Sequence, residues 1–530
     1  MKKITLNGEG LTLTQVAFIA HGFHGGSGHQ YPEIILSDDA VDRLGEFRRA
    51  LEKRIEAGDI IYGVNTGCGS KKGTIIPTKE INAYQARYIP AHCVSVGSSF
   101  PEQVVRLAMI LRVNSFAHGN SGVTLELCEK ILELYNKNVI PVVPEQGSVG
   151  SSGDLCHLAN MSAALMGLSD QMVQYEGKII SSKIALKEAE IEPIELKAKE
   201  AMGLTNGSTF ILSMGLLAIY HTRQLCEYAN MAAALSLEAI RGEKAAFDLR
   251  VHKARKHEAA VEIAKTILGL VEGSQRMTDE SRKVTLDAEK DFKKYVPRVQ
   301  DAYSFRAHAQ VAGSVLDALG FVEKIFLREM NASTDNPLVF RTLDDEKKFE
   351  AISGGNFHGE PLAQAADLLK IALQQLSNIS ERRFYAMLKP ETSYGLPSDL
   401  AGPSDLNTGL MILQYSAASL ISENKPLCHP SVIDSIPTSA DQEDYVSMGT
   451  ISARNMMKVL DNAYYVIAAE LMAGARAITL TEEPLKNYPL APKTQDVFER
   501  VKAVIPFQSD DQFWGTQWES LKSTLKEHKF

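Results

Sequence analysis

The chain is poor in the signals that would give it a metal, a disulfide scaffold or a membrane anchor. Its six cysteines, Cys68, Cys93, Cys128, Cys156, Cys226 and Cys428, are dispersed and form no CxxC pair. Neither a zinc knuckle nor a stapled small fold is indicated. No HExxH or similar ligand spacing occurs among the histidines, so no metal is expected. Excess positive charge is missing as well. A formal net charge of −9 argues against nucleic acid or an anionic membrane as partner. Near the N-terminus Asn7, Gly8, Glu9 and Gly10 interrupt any apolar stretch, so no secretory leader is read there. No apolar run reads as long enough to span a bilayer. Reduced thiols in a cytoplasmic protein fit this pattern, most of them serving as small buried hydrophobes. Internal repeats, low-complexity tracts and flexible linkers are absent too.

What is present is the composition of an ordinary globular chain, 45% apolar and 23% charged over 530 residues. That length can bury a large core and suggests two or three domains. Ser37 reads as an N-cap. Val41, Leu44, Phe47, Leu51 and Ile55 then recur at helical spacing until Gly58. Ile60 to Val64 reads as a short strand entering a glycine-rich loop, and Met172 to Ile180 as a hairpin turning at Glu176-Gly177. From Ser208 to Arg241 the sequence is apolar on nearly every face, the mark of a buried helix. A second long helix lies between Pro361 and Pro390, and a third runs from about Asp441 towards Ala477. Helices of about thirty residues, roughly 45 Å long, hide their apolar faces only against one another. The expected fold is mainly α: an elongated helical bundle over 206–530, with a smaller mixed α/β N-terminal domain over 1–205. Arg276 to Tyr295 and Asp344 to Glu350 read as solvated surface.

The most informative segment is Gly-Ser-Val-Gly-Ser-Ser-Gly-Asp, Gly147 to Asp154. Small residues around a Ser-Gly step let the backbone bend where larger ones would clash. In such a bend the Gly153 amide nitrogen can attack the Ser151 carbonyl carbon. Loss of two waters, one carrying the Ser152 hydroxyl oxygen, then leaves a five-membered ring with an exocyclic methylidene. No ordinary side chain is an electrophile of this kind. Taken alone, the octapeptide reads equally as a Gly/Ser turn or a phosphate-cradling loop.

The segment resembles the signature of the aromatic amino-acid ammonia-lyases, which include histidine, phenylalanine and tyrosine ammonia-lyases and related aminomutases. Further strings resemble that family in order along the chain: Tyr-Gly-Val-Asn-Thr-Gly-Cys-Gly from Tyr62, Gly-Asn-Ser-Gly-Val from Gly119 and Thr-Asn-Gly-Ser from Thr205. Gln-Asp-Ala-Tyr-Ser-Phe-Arg spans Gln300 to Arg306, and Thr-Asp-Asn-Pro starts at Thr334. Gly-Gly-Asn-Phe-His-Gly follows from Gly354, Ser-Glu-Asn-Lys from Ser422 and Gln-Glu-Asp from Gln442. The resemblance implies that Ser151, Ser152 and Gly153 cyclise to 4-methylideneimidazole-5-one (MIO), with Asp154 beside them and no metal required. Ser151 departs from the usual alanine. Only its backbone carbonyl enters the ring, so its side chain stays outside.

The implied reaction removes ammonia and a β-proton from an amino acid. The amine is a poor leaving group, and covalent attachment to an electrophile makes it a better one. The resemblance implies Tyr62 as the base. An ordinary tyrosine titrates near 10, so its site must favour the phenolate through positive charge or amide dipoles. Read without the resemblance, Tyr62 is a half-buried strand tyrosine. Tyr303 is implied to relay protons or position groups, and Arg306, beside Gln300, to clamp the substrate carboxylate with its planar fork. Asn206 is implied to hydrogen-bond the MIO carbonyl or the carboxylate; it also reads as an N-cap of the long helix that follows. Phe357 is implied to pack on the substrate ring.

For the substrate, His92 and the Gln442-Glu443 pair resemble the histidine enzymes, although Ala91 stands where those commonly carry serine. A carboxylate such as Glu443 suits an imidazole N–H and would be costly in a purely apolar pocket. L-Histidine, giving trans-urocanate, is therefore implied, within histidine catabolism. Cys68, Pro90, Ser151, Ala307 and Ala309 depart from the usual histidine enzymes. Tyrosine or phenylalanine as substrate, an aminomutase outcome and a non-catalytic scaffold are the alternatives. A homotetramer whose sites draw on more than one subunit is implied by resemblance alone.

Overall fold

The computed structural model describes residues 3–25, 28–150, 152–286, 288, 299–345, 348–527 and 529–530. The chain is mainly helical, as expected, with strands confined to two- and three-stranded sheets. It divides into two compact units. The first holds Met1–Tyr220, Val322–Asp367 and Pro430–Arg454; the second holds His221–Phe321, Leu368–His429 and Asn455–Phe530.

In the first unit Ser37 caps the helix Asp38–Glu56 by accepting from the Ala40 amide at 3.2 Å. Gly58, at φ 84°, follows its end. The hairpin Met172–Tyr175/Lys178–Ser181 turns through Glu176 and Gly177, both with positive φ, which suits the strand twist. The helix Glu102–Phe116 forms the centre of this unit, and all its residues from Val104 to Phe116 are buried. It brings Arg112 under the future site. That guanidinium donates to the Thr334 and Asn206 carbonyls, both at 3.0 Å, and to the Gly203 carbonyl. A buried cation shared among carbonyls from separate segments holds them in register.

Two expected elements differ. Ile60 to Val64 is a turn rather than a strand. Asn65 Oδ1 accepts from the Ile61 amide at 2.8 Å and its Nδ2 donates to the Asp59 carbonyl at 2.7 Å. This side chain offers the backbone a turn in place of a ladder. The helix placed near Asp441 begins at Gly449, because Ser439, Ala440, Asp441 and Met448 all take positive φ.

Four long helices, Thr209–Ala239, His308–Met330, Glu360–Met387 and Gly449–Leu480, are the longest elements among the described residues, and the division into units falls inside each. Within the second unit, alanines on Thr209–Ala239 and Gly449–Leu480 are fully buried. A Cβ on Gly474 would sit 3.2 Å from Leu235 Cγ, so small residues set that close approach. Gly449–Leu480 is, contrary to the reading of the sequence, long and apolar enough to cross a membrane by length and composition. Its most apolar stretch is 83% buried, as in a core helix. Arg276, read as solvated, is also buried, and its guanidinium donates to Thr481 Oγ1 at 3.0 Å. Much of the segment after it lies outside the described residues.

Candidate active site

The glycine-rich loop links the strand Pro144–Gln146 to the helix Leu155–Leu165. Gly150 and Gly153 pair across it, and Gly153 also pairs with Gly207. Ser152 has φ 51°, a left-handed conformation costing roughly 1–2 kcal/mol for a residue with a Cβ. The Asp154 amide donates to the Gly207 carbonyl at 2.8 Å, and the Gly207 amide donates back to the Ser152 carbonyl at 3.2 Å. A Cβ on Gly153 would lie 2.0 Å from the Gly207 carbonyl carbon, so only glycine fits there. Ser151 lies outside the described residues.

Asp154 is fully buried. One oxygen accepts from the amides of Phe210 (2.8 Å) and Ile211 (3.1 Å), in the first turn of Thr209–Ala239. The other accepts from Thr450 Oγ1 at 2.6 Å and Ser148 Oγ at 3.3 Å. Burial outweighs these hydrogen bonds and pushes its pKa up to about 6. The cap of the long helix is thus an aspartate from a distant segment. Asn206, read as a possible N-cap, is instead the C-cap residue of Glu200–Thr205.

A cavity of about 490 Å³ opens beside the loop, within the first unit. Ser152, Tyr62, His92, Asn206, Phe357, Gln442 and Glu443 all line it. Tyr62 sits on the Asn65-closed turn, and its Oη accepts from the Gly69 amide at 2.9 Å. That amide favours the phenolate. Burial acts the other way and dominates, aided by Cys68 and Glu443, so the phenol is raised above its ordinary value. The expected lowering is not supplied by this chain's own residues around Tyr62.

His92 ends the helix Ile81–His92, which carries Pro90 in its last turn. Its Nδ1 lies 2.7 Å from the Tyr88 carbonyl and its ring stacks on Tyr88 with centroids 3.8 Å apart. The carbonyl can only accept, so Nδ1 carries the proton and Nε2 is the acceptor of the neutral ring. Burial lowers its pKa, with Glu443 opposing. Glu443 accepts from Ser152 Oγ at 3.4 Å and Thr438 Oγ1 at 3.3 Å. The cavity therefore presents a neutral imidazole and a carboxylate, both able to accept.

Asn206 Nδ2 donates to the Asn336 carbonyl at 3.1 Å, and its Oδ1 is buried without a hydrogen-bond partner. Beneath it Lys199 Nζ and Asp335 Oδ2 form a fully buried ion pair at 2.5 Å. Lys199 has its pKa lowered by burial, against the pull of Asp335. Sequence reasoning gave no role to Lys199, Asp335, Asn336 or Lys72. Asp335 and Asn336 lie in the Thr-Asp-Asn-Pro string, so a signal was there. Lys72 lines the cavity and donates to Gln442 Oε1, with no motif to mark it. Gln300, Tyr303 and Arg306 belong to the second unit and none of them lines this cavity. Tyr303 is 74% exposed, with the Arg306 guanidinium 4.4 Å from its ring centre.

Comparison with known proteins decides the family. The model of the aromatic amino acid lyases matches residues 11–503. The chain belongs to the aromatic amino acid lyase family. This lyase is 40% identical over 512 residues to the histidine ammonia-lyase of Alkaliphilus oremlandii, covering 97% of the chain and 94% of that relative. The crystal structure of histidine ammonia-lyase from Trypanosoma cruzi matches with TM-score 0.86 and 33% identity, covering 99% of this chain and 94% of the other. Tyrosine aminomutase from Streptomyces globisporus matches with TM-score 0.89 and 30% identity over 99% and 97% of the two chains. The lyase is accordingly a carbon–nitrogen lyase acting on an amino acid.

Proposed function

We propose that this lyase eliminates ammonia from L-histidine to give trans-urocanate, using MIO formed from Ser151, Ser152 and Gly153. The observation that carries the reading is one cavity holding Ser152 of the glycine loop together with Glu443, His92 and Tyr62. The loop suits the group: Gly150 pairs with Gly153 around it, Ser152 has positive φ, and the missing Cβ of Gly153 leaves room against Gly207. Once formed, the ring supplies an electrophile that makes the amine a better leaving group.

The chain's own residues do the rest. Tyr62 takes the β-proton, with the Gly69 N–H stabilising the phenolate as it forms. Glu443 accepts from an imidazole N–H, and neutral His92, lining the same cavity, offers Nε2 as a further acceptor. Asn206, which lines the cavity, contacts the MIO carbonyl or the substrate carboxylate. Phe357 excludes water beside the ring. Asp154 holds the loop against Thr209–Ala239. Gln442 orders the cavity rim through Lys72. Gln300, Tyr303 and Arg306 complete the site from a neighbouring subunit of a homotetramer, with Arg306 clamping the carboxylate. What supports this is that none of the three is among the residues lining the cavity. A set of exposed large apolar side chains, Ile371, Tyr385, Ile412 and Tyr415, also calls for a partner surface. Dispersed cysteines with no CxxC pair support a cytoplasmic location.

The test is direct. Purified lyase is incubated separately with histidine, tyrosine and phenylalanine while ultraviolet absorbance follows the conjugated acid, and its intact mass is measured. Urocanate and a mass lower by two waters are expected. Coumarate would overturn the substrate, a β-amino acid would make it an aminomutase, and an active enzyme of full mass would overturn the MIO reading.

A further inference from the structure

The turn Tyr303–Arg306 is one helical turn long, so its carbonyls have few partners within the helix. One of them, the Ser304 carbonyl, accepts from Arg383 Nη1 at 3.1 Å. The same nitrogen lies 3.2 Å from His308 Nδ1, just past the other end of the turn. Arg383 is fully buried. Its other two nitrogens grip the Glu470 carboxylate in a fork, Nη2 to Oε2 at 2.8 Å and Nε to Oε1. Glu470, equally buried, also accepts from Ser236 Oγ at 2.8 Å and Ser380 Oγ at 2.6 Å, so both of its oxygens are engaged on two sides. His308 Nε2 meets Asn230 Oδ1 at 2.8 Å. Arginine can only donate, so Nδ1 is the acceptor and Nε2 carries the proton. Every group in this network lies in the second unit.

We infer that Arg383 and His308 are positioning residues for the reaction: a single guanidinium nitrogen ties the Ser304 carbonyl to the His308 ring, and so aims Tyr303 and Arg306 at the substrate. The inference rests on the reading that Arg306 clamps the substrate carboxylate. The physical reason is economy of constraint. Tyr303 is 74% exposed, with the Arg306 guanidinium 4.4 Å from its ring centre. Its direction is therefore set from below, through the backbone of a turn too short to be stiff alone. Phe305, 1% exposed, anchors the turn's apolar side. The fork on Glu470 prevents Arg383 from rotating, and His308 keeps its proton on Nε2 because burial holds the ring neutral, with Arg383 adding to that effect.

The experiment uses the full-length enzyme and its amino-acid substrate. His308→Leu removes the acceptor and keeps much of the volume; His308→Gln restores an acceptor; Arg306→Lys is run beside them. His308→Leu is expected to raise KM about ten-fold, the worth of one weakened charge-assisted contact to the carboxylate. Arg306→Lys should raise KM at least as much, and His308→Gln should recover most of the loss. Circular dichroism and size-exclusion profiles guard against misfolding, and Arg383→Lys, which keeps the charge at Glu470, gives a second variant. A merely structural role predicts fewer active molecules, seen as lower kcat at unchanged KM, and that result overturns the inference. Unchanged KM in Arg306→Lys would overturn the carboxylate reading and the inference with it. An effect of Arg306→Lys with none in His308→Leu would overturn the positioning role alone.

Discussion

Tyr62 and Glu443 face each other chemically within one cavity, and their environments make opposite demands. The Gly69 amide helps Tyr62 lose its proton; burial and the Glu443 charge resist it. A base whose pKa stands above its ordinary value is protonated at neutral pH. Its reactive form grows as pH rises, so kcat/KM is expected to climb from pH 7 towards the phenol's pKa. Tyr62→Phe should lose about 10²–10⁴ in kcat, with KM nearly unchanged, and the climb should disappear. Glu443→Gln is expected to raise KM for histidine about 10- to 100-fold, as the loss of a charged hydrogen bond would. Steady-state kinetics over a pH series check both, and a flat profile in the parent enzyme would remove Tyr62 from its role. At this scale strings such as Tyr-Gly-Val-Asn and Gln-Glu-Asp single out Tyr62, Gln442 and Glu443, which line one cavity. Lys199, buried against Asp335, was not legible, because an isolated lysine carries no sign of what will surround it.

Elements were legible where their determinants are local. Ser37 and Glu176-Gly177 act on neighbours a few residues away, and the helix and hairpin they predict are present. The strand read at Ile60 to Val64 failed because Asn65 diverts the backbone. The early start of the third helix failed because left-handed residues precede Gly449. The cap of Thr209–Ala239 comes from Asp154, fifty-odd positions away, beyond any local pattern. Packing between elements imposes a further demand. A Cβ on Gly215 would stand 1.8 Å from the Phe326 ring, so His308–Met330 approaches Thr209–Ala239 only because position 215 is bare. Gly215→Ala is expected to destabilise the enzyme by about 1–3 kcal/mol through overpacking, despite alanine's better helix propensity. Adding Phe326→Leu should return part of the lost Tm. Thermal unfolding measures both, and an undiminished Tm in Gly215→Ala would refute the contact.

At the scale of the whole molecule the question is where Tyr303 and Arg306 act. Tyr303 is exposed and Arg306 half-buried, both belong to the second unit, and neither lines the cavity of the first. If the site is shared between subunits, Tyr62→Phe and Arg306→Ala enzymes should each be nearly inactive yet regain activity in mixed oligomers. Random mixing of two such subunits would restore about a quarter of the sites. Co-expression followed by assay checks this, and a mixture no more active than its parts would place both residues in one subunit's service.

The amino-acid sequence by itself determined the helical class, the glycine-rich loop and the identity of most of the groups that could carry the chemistry. These depend on composition, periodicity and short strings whose physics is local. Only the tertiary structure decided that Asp154 caps a distant helix, that Arg112 and the Lys199–Asp335 pair lie beneath Asn206, and that Arg383 braces the turn of Tyr303. Such contacts join segments of 56 to 136 residues' separation and more. Their partners are chosen by burial, where an unpaired charge is costly, and burial is a property of the folded chain.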